Sequence, residues 1–280
     1  MKIEELEAEK IYRETRDTFT NCIKRATVIS QNAGGRYTED KKIFWASVIF
    51  TKLVVIVHSI SRLAPRTSPV PDKRPHWDYS SVASITRNFI ECYFLFFYLC
   101  IDKTSNEDEW LTRFNLIQLR DNTSRKQIFS QWDSNDPQLV GFDDHHNALV
   151  KELQSRSFFC SLPEKRQVAL LKGNDDAMLL TRDEILDRMG KDKTHFRGMW
   201  RYLCAHTHSA PIAFYRMAED GRGCGIKENQ VDKRLTSALL MEVTDFLNLA
   251  ISDMLLLFPD VEQNPIVTVR SGNKKARRRG

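Results

Sequence analysis

The sequence predicts an all-α fold, on three observations. Apolar residues recur at helical spacing over long stretches, no segment alternates steadily between apolar and polar, and Gly (11) and Pro (9) are too few for a many-turned β chain. The expected architecture is a single multi-helix domain of long packed helices. Residues 1–35 are assigned to an N-terminal helix, 36–262 to a helical-bundle core domain and 263–280 to a basic, disordered tail.

The elements follow in order. A charged helix runs from Met1 to about Gln31 on Ile3, Leu6, Ile11, Phe19, Ile23 and Val28, and Asn32-Ala33-Gly34-Gly35 ends it. A second helix spans about Thr38 to Leu63 and is apolar almost all round between Ile43 and Ile60, as a buried helix is. Pro65, Pro69, Pro71 and Pro75 forbid helix over the next segment, which reads as a surface loop or a lid. A third helix starts at Asp78 or Ser80, both good N-caps, and runs through an aromatic-rich stretch to Asp102. A fourth covers about Asn106–Trp132 and a fifth about Pro137–Phe159; Ser161–Gly173 is less regular. Thr181 and Glu184 have the spacing of a capping box for a short helix that Gly190 closes. A long helix over about Thr194–Ser209 meets Pro211, and Arg222–Gly225 is a turn. The last helix covers about Asn229–Phe258, and Ile266–Val269 is at most a short strand.

The 280 residues hold 42 Lys+Arg against 37 Asp+Glu, a formal charge of +5. Five of the bases, Lys274, Lys275, Arg277, Arg278 and Arg279, lie in the last eight residues; without them the balance is 37 against 37. Attraction to nucleic acid therefore rests on the tail or on an uneven surface. As a basic arm the tail adds about one phosphate contact per neutralised charge; its plain structural reading is a solvated terminus. The six cysteines form no C-x-x-C pair, and Cys92 and Cys100 sit in an apolar run, the pattern of buried, reduced thiols in a cytoplasmic protein. The start, MKIEELEAEK, has no apolar core of a secretory signal. Lys52 interrupts one apolar run and Glu91 lies in the other, so both read as core helices, with no membrane partner.

Phosphate-loop, dinucleotide, zinc-protease and nucleophile-elbow motifs are absent from the sequence. His145-His146 beside Asp143-Asp144 is the most metal-like cluster, and solvated helix surface is its plainer reading; no metal and no cofactor are expected. The informative segment runs from Arg197 to Pro211. At about 100° per residue Arg201 and His208, seven apart, share a helix face. Arg197 extends that face, His206 lies round the helix, and Tyr202 is close by. A salt-bridged helix end is one reading, because cations suit a helix C-terminus. A phosphate-handling site is the other: imidazole moves a proton near neutral pH and a guanidinium stabilises charge on phosphate. Arg87 and Glu91 are i,i+4 neighbours at the head of the aromatic helix, either an ion pair that fixes packing or a support for the same site.

Arg87-x3-Glu91, followed by Tyr202-Leu203-Cys204-x3-His208-Ser209, resembles an uncharacterised bacterial all-helical family, a domain of unknown function with R-x-x-x-E and L-S-x-x-x-H motifs. The resemblance covers roughly Ile43–Leu257. Cys204 stands where that family usually has Ser, and His206 where an aromatic is common. More distantly, Arg201-x6-His208 and Arg201-x4-His206 are similar to the Arg/His signature of the HEPN superfamily of helical nucleases. That resemblance implies a HEPN-like helical bundle with extra helices and a metal-independent endoribonuclease acting as a homodimer, a toxin or phage-defence effector with RNA as substrate and a protein antitoxin as a further partner. Arg201, His208 and Glu91 would be its catalytic residues, and Arg87, Arg197, His206 and Tyr202 would bind substrate. The alternative is a non-enzymatic helical module that binds a protein or a small ligand through the same cluster.

Overall fold

The computed structural model describes residues 3–65, 76–103, 106–174, 178–219, 221–225 and 229–262. The basic tail, the Ile266–Val269 segment and three of the four clustered prolines lie outside the described residues. The fold is all-α. Its helices are α1 (Ile3–Ala33), α2 (Lys41–Leu63), α3 (Tyr79–Phe96), α4 (Glu107–Trp132), α5 (Gln138–Gln154), α6 (Ser157–Cys160), α7 (Glu164–Leu171), α8 (Arg182–Arg188), α9 (Lys193–Thr207), α10 (Pro211–Phe214) and α11 (Gln230–Leu257). Among the described residues the only β-type pairing is one isolated bridge between Trp77 and Gly225. The chain divides into two compact units, one formed by residues up to 90 and from 205 onward, the other by residues 91–204.

The first unit is built on α1, α2 and α11, which pack against one another. Along α1 the residues Ala8, Tyr12, Arg16, Phe19, Cys22, Ala26, Ile29 and Ala33 are buried at three- and four-residue spacing, with Ile23 and Asn32 buried beside them. They form one seam, apolar except at Arg16 and Asn32. Leu240, Val243, Leu247, Ala250 and Met254 of α11 and Phe50, Leu53, Val57 and Ile60 of α2 are buried with them. Each buried side chain of this size contributes roughly 1.5–3 kcal/mol. Polar ties fix the ends of the layer: Arg16 donates to the Ser61 carbonyl at 2.8 Å and Asn32 to the Val261 carbonyl at 2.6 Å, while Arg36 pairs with Asp260 at 2.8 Å. Cys22 is buried beside Asn248, and burial pushes its thiol up to about 11. Cys160 and Cys224, in contrast, are exposed.

α2 and the segment Tyr79–Ile101 are long and apolar enough to cross a membrane, yet 44% and 50% of their apolar windows are buried within the protein. Phe44, Val48 and Val55 make an exposed stripe on α2, so that helix is less completely buried than its composition predicts.

The second unit contains a feature invisible to hydropathy. After Phe96 the backbone widens into a π turn, Phe97–Ile101, closed by Asp102 N donating to Phe97 O at 2.7 Å. Side chains of α4 meet two carbonyls of this turn: Arg113 donates to Tyr98 O at 2.9 Å and the Trp110 indole to Leu99 O at 2.8 Å. Arg113 is 1% exposed and pairs with Asp102 at 2.7 Å and with Glu109 at 2.5 Å; its guanidinium also stacks on Tyr98, 4.5 Å from the ring centre. Arg188 completes the group by pairing with Asp102 at 2.5 Å. Around it lies the apolar cluster of Leu116, Leu119, Leu149, Leu153, Phe159 and Leu170.

Two boundaries differ from the sequence reading. The expected fifth helix breaks at Ser155–Arg156, because Asp108 of α4 accepts the backbone N–H of Phe158 at 2.7 Å and caps a new short helix there. The less regular segment after it contains α7, held by Leu170 in the apolar cluster. The Thr181–Glu184 capping box forms as expected.

Removing one member of a buried ion pair strands the other charge. Asp102→Ala should therefore cost the second unit about 3–5 kcal/mol, read as a lowered denaturation midpoint in urea.

Candidate functional site

The site of interest lies wholly within the first unit, where α9 stops. His206 and Thr207 close the helix and Ser209 turns back with φ +49°, the one non-glycine residue in the left-handed region among the described residues. Ser209 N donates to His206 O at 3.4 Å and Ala210 N to Ala205 O at 2.8 Å. These are the two bonds of a Schellman ending, whose left-handed position is usually glycine. His208 is thus the C-cap, at the negative end of the helix, where a cation is favoured. Pro211 then opens α10 at its first position, as proline does best.

Two side-chain bonds hold this ending on one face of α3. Ser80 Oγ lies 2.9 Å from His206 Nδ1. About two turns further along α3, Arg87 Nη1 donates to His208 Nε2 at 2.8 Å. Ser80 and Arg87 are seven residues apart, the spacing that returns to the same helix face. His206 is 5% exposed and meets Tyr79 edge-on at 5.4 Å. Burial pulls its pKa below the ordinary histidine value, against a smaller opposing effect of Asp78, so the ring is neutral near pH 7. His208 is exposed and Arg87 half-buried. A guanidinium only donates, so in this pair Nε2 of His208 is the acceptor.

The remaining expected residues belong to the second unit. Glu91, Arg197 and Arg201 are exposed there, and Tyr202 is half-buried. Arg197 pairs with Asp183, which holds that carboxylate below the usual range. Among the described residues no three His, Cys, Asp or Glu side chains gather as a metal site, and Asp143 beside the paired histidines bonds Lys126 at 2.5 Å.

A cavity of about 330 Å³ opens beside the α9 ending. Ser80 and Ser209 line it, as do His76 and Asp78 at the head of α3 and Phe214 and Met217 after α10. Its floor is the Gly223–Gly225 turn. Asp232 of α11, fully buried, accepts the Gly223 N–H with both carboxylate oxygens at 3.0 Å; burial nonetheless raises its pKa. Trp77 N bonds Gly225 O at 2.9 Å. Gly225 has φ +80°, a backbone that favours glycine, and the His76 ring packs against it, 2.3 Å from where a Cβ would stand. None of His76, Asp78 and Asp232 carries a motif that marks it in the sequence. Asp78 was legible only as a helix cap, a role it plays by accepting Ser81 N–H at 3.0 Å.

A family model described as a family of unknown function, DUF5677, matches residues 44–224, which includes both motif segments. No curated protein and no solved structure matches the chain.

Two measurements probe the geometry. His206 carries a depressed pKa in the folded state, so acid favours the unfolded chain. Stability is full above about pH 6.5, the unfolded value, and falls as pH drops through it. Thermal melts between neutral and mildly acidic pH should show that fall, and His206→Gln should reduce it. Ser209→Gly should relieve left-handed strain and raise stability by about 1 kcal/mol, read in urea denaturation.

Proposed function

We propose that this chain, which belongs to the DUF5677 family of unknown function, cleaves RNA without a metal ion, with His208 as the proton carrier and Arg87 as the electrostatic partner. The observation that carries the reading is the 2.8 Å bond between Arg87 and His208 at an exposed helix end. A guanidinium beside an imidazole at an exposed helix end pairs a phosphate-binding group with a proton-carrying one. A phosphodiester that takes the guanidinium N–H groups leaves the Nε2 lone pair free for a proton.

In the proposed step His208 Nε2 takes the proton of a ribose 2′-hydroxyl. The 2′-oxygen forms a bond to phosphorus, the bond to the 5′-oxygen breaks, and that oxygen takes a proton from water while the proton on His208 returns to solvent. The products are a 2′,3′-cyclic phosphate and a 5′-hydroxyl. Arg87 stabilises the charge that collects on the non-bridging oxygens. The requirement for a 2′-hydroxyl makes the substrate RNA rather than DNA. Ser80 and His206 are positioning residues: they hold the end of α9 so that His208 meets Arg87. Arg201, Glu91, Arg197 and Tyr202 enter on sequence grounds, through the resemblance to helical nucleases. The same resemblance supports a homodimer and a role as a toxin or phage-defence effector in the cytoplasm.

Labelled RNA incubated with the purified protein should be cut in the presence of EDTA. His208→Ala should lower the rate about 10²–10⁴-fold, the usual value of a positioned acid–base. Arg87→Lys should also lose most activity, because an ammonium lacks the planar two-point grip on phosphate. Both variants should keep the wild-type helical content. Cleavage that EDTA abolishes, or that His208→Ala leaves intact, contradicts the reading. The competing reading, a module that binds a ligand without cutting it, is supported by nucleotide binding with no cleavage at any enzyme concentration.

A further inference from the structure

The cavity beside the α9 ending has a polar end and an apolar side, and both belong to the first unit. Phe214, Met217 and Tyr79 supply the apolar surface beside the Gly223–Gly225 turn. Its volume, about 330 Å³, is at the small-molecule scale. The polar end carries Asp78, whose Oδ1 already takes the Ser81 N–H at 3.0 Å. The rest of that carboxylate offers acceptors and no donor. Ser209 lines the cavity and directly follows His208, the residue that bonds Arg87, so the cavity adjoins the helix ending that carries the proposed phosphate position.

We infer that this cavity is the base-recognition subsite of the cleavage site, and that it selects guanine. The assignment rests on the ribonuclease reading above for the phosphate position. Guanine is the base for a carboxylate: its Watson–Crick edge presents two adjacent donors, N1–H and the N2 amine, whereas adenine, cytosine and uracil present no two adjacent donors along that edge. Phe214, about half exposed, offers a ring face for stacking, which is tolerant of base identity and adds affinity. Selectivity comes from Asp78 and affinity from the apolar side. His76, held on Gly225, closes the opposite rim.

The test is calorimetric titration of the full chain with the four nucleoside 3′-monophosphates. Guanosine 3′-monophosphate should bind at least tenfold tighter than the other three. Asp78→Asn keeps an oxygen for the Ser81 cap, so the helix start survives, but it presents an amide N–H to guanine's donors. It should weaken guanosine binding about 5- to 150-fold, the value of a good two-point base contact. The same variant should bind xanthosine 3′-monophosphate more tightly than the wild type does, because xanthine carries a carbonyl where guanine has its amine. Phe214→Ala should weaken all four nucleotides together. Equal binding of the four bases, no binding at millimolar nucleotide, or an Asp78→Asn variant that folds yet shifts no preference overturns the assignment. RNA cleavage without base preference overturns the subsite alone. Guanosine binding without cleavage overturns the ribonuclease reading and leaves the subsite standing.

Discussion

The candidate site depends on one constraint, the abrupt end of α9. A helix that continued past Thr207 would carry His208 and Ser209 round its axis with the rest of the turn. The left-handed Ser209 prevents this and sends the chain into α10. Left-handed backbone costs a non-glycine residue about 1–2 kcal/mol, and the hydrogen bonds of the Schellman ending, together with the part-buried Ser80–His206 contact, offset it. One conformational decision thereby sets three things: His208 against Arg87, Ser209 at the cavity, and Phe214 on the far side of the same cavity. Strain held at such a place is a common feature of sites that bind or react.

The helices were largely legible because burial writes a period into the sequence. The seam of α1, the apolar run of α2 and the Thr181–Glu184 box all map onto elements within a few residues of their expected ends. What escaped depends on single long-range contacts. The break between α5 and α6 follows from Asp108, fifty residues earlier, capping Phe158. The π turn follows from Arg113 and Trp110 reaching its carbonyls from the next helix. Neither has a local signature, because the partner lies outside any helical window.

The site was legible in part for the same reason. His208, Arg87 and His206 stood out through spacing and chemistry. That Arg87 contacts His208 directly, and that His206 is sealed against Ser80, are tertiary facts. Asp232 carries no motif, yet it anchors the glycine turn that floors the cavity. Burial sorts the two histidines into different duties. The enclosed ring of His206 is kept neutral and fixes position, while the exposed ring of His208 keeps access to solvent and to a substrate.

The central claim is that Arg87 and His208 act as one unit on a phosphodiester. A double-mutant cycle on the rate of RNA cleavage, with Arg87→Ala, His208→Ala and the double variant, reads it most directly. If the pair works together, the double variant is little slower than the slower single variant, because either loss disables the same step. Losses that simply multiply, or a cleavage rate that none of the three variants changes, would contradict the account.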